Sequence, residues 1–348
     1  MKKISLIITC GYLESGNKII EDERLLAFKQ CLVSVKMLMR NSPLIANDEV
    51  IISEFGEKSK LNGLVSASLK GINHKYIFTA GEKFNQSIAK NNGAKISAGD
   101  ILVWINSDVL LTSNTLNVIR NRFQKNENIF CTAARHDVFL KNFNEFFHHD
   151  IQTLSNDTYK THLLYLDDSG WQHALNIPKQ KIYHNILGYC GMFANNVIQD
   201  FHSNYINYGE MLSVSRKVWE QYPFDEEVIA IVDSFYRDYI FHNILECKLE
   251  LIHNEMALFH LSGSDFMQQE IVNSNKYDRL IKDLILCAEK YEYMRHGLVL
   301  SFFREFESTI EKLKIPFKEI FDTWVSDFNW KYYRDKEYVM NKYSVTHA

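Results

Sequence analysis

The feature that most constrains this chain is a series of short apolar runs set between segments with helical spacing. "ISLIITC" (4–10) is continuous, β-branched and uncharged, as a strand covered on both faces must be. "EVIIS" (49–53), "KYIFT" (75–79) and "DILVWIN" (100–106) read as further strands. Between them, Leu25, Leu26, Phe28, Leu32, Val35 and Leu38 recur at helical spacing over Glu23–Met39, and a second helix is expected over about 84–98. Strand, helix, strand, strand, helix, strand predicts an α/β fold with a mostly parallel sheet flanked by helices. Right-handed crossovers then bring the loops after Thr9, Ser53 and Asn106 to one edge of that sheet.

The chain of 348 residues has room for one large domain or two ordinary ones. Its hydrophobic content of 46% fits a folded core rather than a disordered segment. A net charge of −4 argues against a nucleic-acid binder. Cys10, Cys31, Cys131, Cys190, Cys247 and Cys287 are scattered with no C-x-x-C pair, which suits reduced thiols in a cytoplasmic protein better than a disulfide framework or zinc site. "MKKISLIITCGY" reads as a buried first strand rather than a leader. No apolar run approaches the roughly 20 residues that span a bilayer.

Beyond 112 the pattern loosens. Thr115–Phe123 reads as a helix and "NIFCTAAR" (128–135) as one strand. Residues 136–208 are rich in Asn, His, Asp and Tyr with weak periodicity, and are expected to hold short helices and part of a binding site. "EMLSVSRKVWEQY" (210–222) reads as a strand running into a helix, 233–247 as a helix, and "KLELIHN" and "MALFHL" as strands. From about 268 the chain is helical and charged, with an amphipathic stretch over 276–295 and Pro316 between two later helices.

Strand 100–106 ends in "INSD", a short loop closing on Asp108. A strand that delivers an acidic loop from its carboxyl end is a common way to hold a metal-bound phosphate. Four blocks then occur in an order that resembles the GT-A fold of nucleotide-sugar glycosyltransferases, in particular the family-2-like bacterial enzymes. They are "SLIIT", "EVIISEFGEKS", "NNGAKISAGDILVWINSD" and "YPFDEEVIAIVDSFYRDYIFHNILECKLELIHNEMALFH". The resemblance covers roughly residues 1–265. It implies a donor half at about 1–112, an acceptor half at about 113–265 and a helical C-terminal extension at 266–348.

The resemblance also implies roles. Asp108 matches the last acid of the family's D-x-D motif and would ligate Mn²⁺ or Mg²⁺ on the donor diphosphate; by itself it is an ordinary turn aspartate. Asn106 stands where the motif's first Asp is expected, with Ser107 between them, and brings no charge. Asp233 matches the carboxylate that takes the acceptor's proton in inverting members, and it also suits a helix N-cap. His260 matches the histidine that completes the metal shell or touches the diphosphate, with a structural histidine as the alternative. Thr9 and Glu54 fall at positions used for the nucleotide. Phe55 suits either base stacking or the core. Asn92 and Gly93 point to a close backbone approach, to the donor or to a neighbouring strand, or to a kink. Lys90 and Lys95 are diphosphate partners or, by default, solvated lysines of a helix face.

On the acceptor side, Glu210 is a candidate for holding sugar hydroxyls, and Trp171, Tyr189 and Trp219 for stacking on a sugar ring. His148 and His149 beside Asp150 suit a surface or acceptor-side role. The basic and aromatic C-terminal helices fit either a solvated face, with a dimer or intradomain core behind it, or a peripheral contact with a membrane carrying a lipid-linked acceptor. The expected activity is transfer of a hexosyl or N-acetylhexosaminyl group from a nucleotide sugar, UDP-linked by preference, to a glycan acceptor of a capsule or lipopolysaccharide, with inversion. The alternative is a catalytically inactive GT-A-like protein that binds a nucleotide or glycan, motivated by Asn106 and Val232 in place of acids.

Overall fold

The computed structural model describes residues 2–11, 18–40, 47–82, 84–112, 114–133, 135–139, 211–229, 232–233, 236, 239–240, 248–252, 258–262, 286 and 290. The expectations for 136–208 past Phe139, for Glu210, Trp171, Tyr189, the His148–Asp150 cluster and nearly all of 266–348 lie outside these residues.

Strand β1 (Ile4–Cys10) is buried along its whole length. It pairs in parallel with β2 (Glu49–Gly56) on one side and β4 (Ile101–Asn106) on the other. Outside β2 lies β3 (His74–Ala80), also parallel. The register sets Thr9 opposite both Ser53 and Asn106, so the three loops share one sheet edge, as the crossovers predict. On the far side of β4 the sheet changes direction. Strand β8 (Met211–Ser215) is antiparallel to β4 and to β6 (Ile129–Thr132), and β9 (Lys248–Leu251) follows in parallel with β6. The order is β3-β2-β1-β4-β8-β6-β9.

A second small sheet stands beside the acidic loop. It joins β5 (Val109–Leu111), β10 (Leu258–Ser262) and β7 (Arg135–Phe139) in the order β5-β10-β7. The single strand expected over 128–135 is therefore two. The chain leaves the main sheet after Thr132 and enters the second at Arg135, because β6 pairs with β8 and β9 whereas β7 pairs with β10.

Helices cover both faces. Phe28, Cys31, Leu32, Val35 and Leu38 of α1 (Lys18–Arg40) and Leu116, Ile119 and Phe123 of α4 (Thr115–Lys125) join one core with Ile4, Leu6, Ile8 and Val103. A short α2 (Asn62–Ser68) adds Val65. On the other face lies α3 (Gln86–Ile96), capped by the Asn85 side chain, which accepts from the Ile88 N–H at 3.0 Å. Strand β8 runs directly into α5 (Arg216–Gln221), whose N-cap Ser215 accepts from the Val218 N–H. Beside α3, Trp104, Phe224, Tyr236 and Phe130 form an aromatic layer, with the rings of Phe224 and Tyr236 stacked 3.7 Å apart.

Candidate active site

The acidic loop and His260 meet. Residues 107 and 108 form the turn between β4 and β5. Antiparallel pairing of β10 with β5 places His260 opposite Val109, and the Leu261 N–H bonds the Asp108 carbonyl at 2.8 Å. The consequence is a side-chain pair, His260 Nε2 to Asp108 Oδ2 at 3.3 Å, with 12% and 37% of the two side chains exposed. Two residues distant in sequence are thus held together by strand register alone. A carboxylate oxygen and an imidazole nitrogen suit Mn²⁺ and are few enough to leave positions for phosphate oxygens and water. Among the described residues no cluster of three His, Cys, Asp or Glu is arranged to hold a metal.

Behind this pair the sheet edge is apolar and thiol-lined. Burial, then the Cys31 sulfur and the carboxylates of Glu54 and Asp108, push the Cys10 thiol well above its ordinary value. Burial and the Asp108 charge raise Cys31 as well. Both are buried free thiols, as the sequence suggests. Thr9 ends β1 beside Asn106, and its Oγ1 is buried with no hydrogen-bond partner among the described residues. An orphaned buried hydroxyl costs about 1–3 kcal/mol, which a ligand at this edge would offset.

Asn106 is half-buried, and its Oδ1 accepts from Gln86 Nε2 at 2.7 Å. Its amide therefore ties the acidic loop to the first residue of α3. Ser107 is half-buried in the turn.

The structure gives four further candidates their neighbours. Glu54 does end β2, but its carboxylate is taken up by its own loop. It accepts from the N–H groups of Lys60 (3.1 Å) and Leu61 (3.3 Å) and from the Tyr76 hydroxyl. Asn92 turns to Thr79, whose Oγ1 it bonds at 2.9 Å. Gly93 faces the sheet: a Cβ there would lie 2.5 Å from Ile7 Cγ2. The close approach of α3 at Gly93 is to a neighbouring strand, one of the alternatives that the sequence left open. Phe55 packs edge-on against Phe84 at 6.0 Å, as a core aromatic.

Lys90 is the largest departure. It is buried, not solvated, and its ammonium pairs with the Asp233 carboxylate. Asp233 keeps 14% of its side chain exposed. The helical assignment at residues 232 and 233 agrees with a helix beginning near it. The segment just before it is stapled to α3. Asn91 bonds the Phe224 carbonyl and Glu226 Oε1 through Nδ2, and its Oδ1 accepts from the Phe224 N–H and Trp219 Nε1. Asn85 reaches the Glu226 carbonyl and Ser87 the Val228 carbonyl. Asp225 shapes the turn, its Oδ1 accepting from the Glu227 N–H. Trp219 is a buried member of this clamp rather than a platform for sugar. The sequence carries no clear signal for Asn91, because the buried residues of α3 are Ser87, Ala89, Lys90, Asn91, Gly93 and Ala94, mostly polar or small.

A doubly covered, mostly parallel sheet with a reversed strand at β8, and an acidic loop met by a histidine from a second sheet, make up a GT-A-type scaffold. Residues 27–194, just under half of the chain, match the family model "Glycosyl transferase family 2". The fold resembles S. aureus TarS 1-349 in complex with UDP-GlcNAc, at 10% identity and a TM-score of 0.51, covering 90% of this chain and 76% of that one. It also matches glucosyl-3-phosphoglycerate synthase from Mycobacterium tuberculosis in complex with Mn²⁺, UDP and phosphoglyceric acid, at 11% identity and a TM-score of 0.42, covering 80% and 78%. No curated protein matches the sequence.

Proposed function

We propose that the protein transfers a hexosyl or N-acetylhexosaminyl group from a UDP-sugar to a glycan hydroxyl, with inversion and with Asp233 as the base. The observation that carries this reading is the pairing of Asp108 with His260 at the edge where Thr9 and Asn106 also end. UDP as the nucleotide is supported by analogy with TarS, a structural relative with UDP-GlcNAc bound. The acceptor class, a capsule or lipopolysaccharide glycan, follows the sequence resemblance.

Asp108 and His260 would hold Mn²⁺ or Mg²⁺, which supplies positive charge against the departing diphosphate. The protein's own residues do the rest. Thr9 Oγ1 is placed to take up a polar group of the donor, and Asn106 fixes the loop through Gln86. The acceptor oxygen bonds the anomeric carbon while the bond from that carbon to the diphosphate breaks. The electron pair leaves with the nucleoside diphosphate, and the acceptor proton passes to the Asp233 carboxylate. A base of this kind contributes about 10²–10⁴-fold.

The test is UDP release and sugar transfer across a panel of UDP-sugars, comparing wild type with Asp233→Asn. Loss of about 10²–10⁴-fold is expected. Transfer by Asp233→Asn at the wild-type rate removes the assigned mechanism. A catalytically silent nucleotide-binding protein is the second reading, favoured by Asn106 being neutral and bonded to Gln86. Tight UDP binding with no release from any donor would establish it.

A further inference from the structure

We propose that Lys90 is a positioning residue for Asp233, and that α3 acts as a rigid spacer between the acidic loop and the base. This rests on Asp233 being the base. Gln86 and Lys90 are four apart on α3, so they share one face. Gln86 bonds Asn106 in the acidic loop, and Lys90 bonds Asp233. One helix face therefore touches both halves of the reaction centre.

Besides Asp233, the Lys90 ammonium meets the face of the Phe224 ring. Lys90 is buried at the boundary of an aromatic layer, with its ammonium 5.3 Å from the centroid of the Phe224 ring. Its carbonyl accepts from Trp104 Nε1 at 3.1 Å, a bond that any residue would supply. Burying an ammonium is costly, and an apolar side chain of similar length would fill the site at lower cost. What the ammonium adds is a fixed, directional contact to one carboxylate oxygen, Oδ1 of Asp233. The helix is anchored at both ends. Its N-terminus is capped by Asn85, and Gly93 seats it against Ile7. The segment 224–228, which leads into Asp233, is clamped to it by Asn91, Asn85 and Ser87.

The experiment measures UDP released from a panel including UDP-glucose and UDP-N-acetylglucosamine with Mn²⁺. Wild type, Lys90→Met, Lys90→Arg, Asp233→Asn and the double variant Lys90→Met/Asp233→Asn are compared, with thermal unfolding of each. Lys90→Met is expected to lower kcat about 10–100-fold, below the full effect of a general base, with the donor KM unchanged. Lys90→Arg is expected to recover most of kcat. The double variant is expected to be no slower than Asp233→Asn alone. If Lys90→Met does not fold, Lys90→Gln takes its place with the same outcomes. Wild-type kcat in Lys90→Met beside a slow Asp233→Asn overturns the role of Lys90 and leaves the base standing. A loss that adds in full to that of Asp233→Asn also overturns it, as a structural effect. An Asp233→Asn variant as fast as wild type overturns the base and this proposal together, as does a wild type that releases no UDP from any donor.

Discussion

Asp108 and His260 show what a single residue contributes once strand register has placed it. Their contact at 3.3 Å depends on two side chains and one backbone bond. Asp108→Ala and His260→Ala should each weaken Mn²⁺-dependent UDP binding at least as much as the ~10–100-fold lost when a group supporting a metal ligand is removed. Asn91 is the structural counterpart. Its amide makes four hydrogen bonds to the clamp before Asp233. Asn91→Ala leaves the Trp219 and Phe224 N–H groups without it, at about 1–3 kcal/mol each. Urea unfolding should show a loss of about 2–5 kcal/mol. Asp108 and His260 stood out in the sequence by motif order, and the structure brings the two side chains together. The burial of Lys90 and Asn91 and the hydrogen bonds of Glu54 did not stand out, since burial of a polar side chain depends on which segment returns to cover it.

At the level of elements, α3 carries most of the site's geometry. Its glycine is a packing device. In Gly93→Ala the helix gains about 1 kcal/mol of propensity, but the new methyl would sit 2.5 Å from Ile7 Cγ2, a branch held within β1. Overpacking of that kind costs about 1–3 kcal/mol. The net expectation is destabilisation by about 0–2 kcal/mol, read from urea unfolding; a stabilised variant would show that α3 is free to move off the sheet. The parallel strands β1, β2 and β4 were plain in the sequence, because a strand buried on both faces leaves an unbroken apolar run. The split of 128–135 into β6 and β7 was not. Both pieces are apolar enough to read as one strand, and only their different partners separate them.

Over the whole molecule the two sheet edges divide the work. The edge opposite the candidate site is tied by ions and polar bonds. Buried Arg120 pairs with buried Asp48, which also accepts from the Ile4 N–H at 2.7 Å. Glu49 is held by Ser5 at 2.7 Å and Lys75 at 3.0 Å. Burial alone would raise the Glu49 carboxyl. The Ala98 N–H, Ser5, Lys75 and the charge of Lys3 outweigh it and hold the group below its ordinary 4.5. The stability it adds is thus present above 4.5 and lost as pH falls through the lower folded value. Asp48 runs the other way. Burial outweighs the Ile4 N–H and Arg120 and raises it above 3.8, so its ionisation takes stability away as pH rises through the folded value. Glu49→Gln should therefore lower Tm at about pH 7, and the deficit should shrink at about pH 3; an equal deficit at both would contradict the sign. Among the described residues no helix is long and apolar enough to cross a membrane. The other edge is where Asp108 and His260 would hold the metal. Calorimetric titration of UDP into wild type with Mn²⁺, and again with EDTA, tests this most directly beside Asp108→Ala and His260→Ala. The prediction is binding that needs Mn²⁺ and is lost in both variants; equal UDP affinity in EDTA, or in His260→Ala with Mn²⁺, would contradict it.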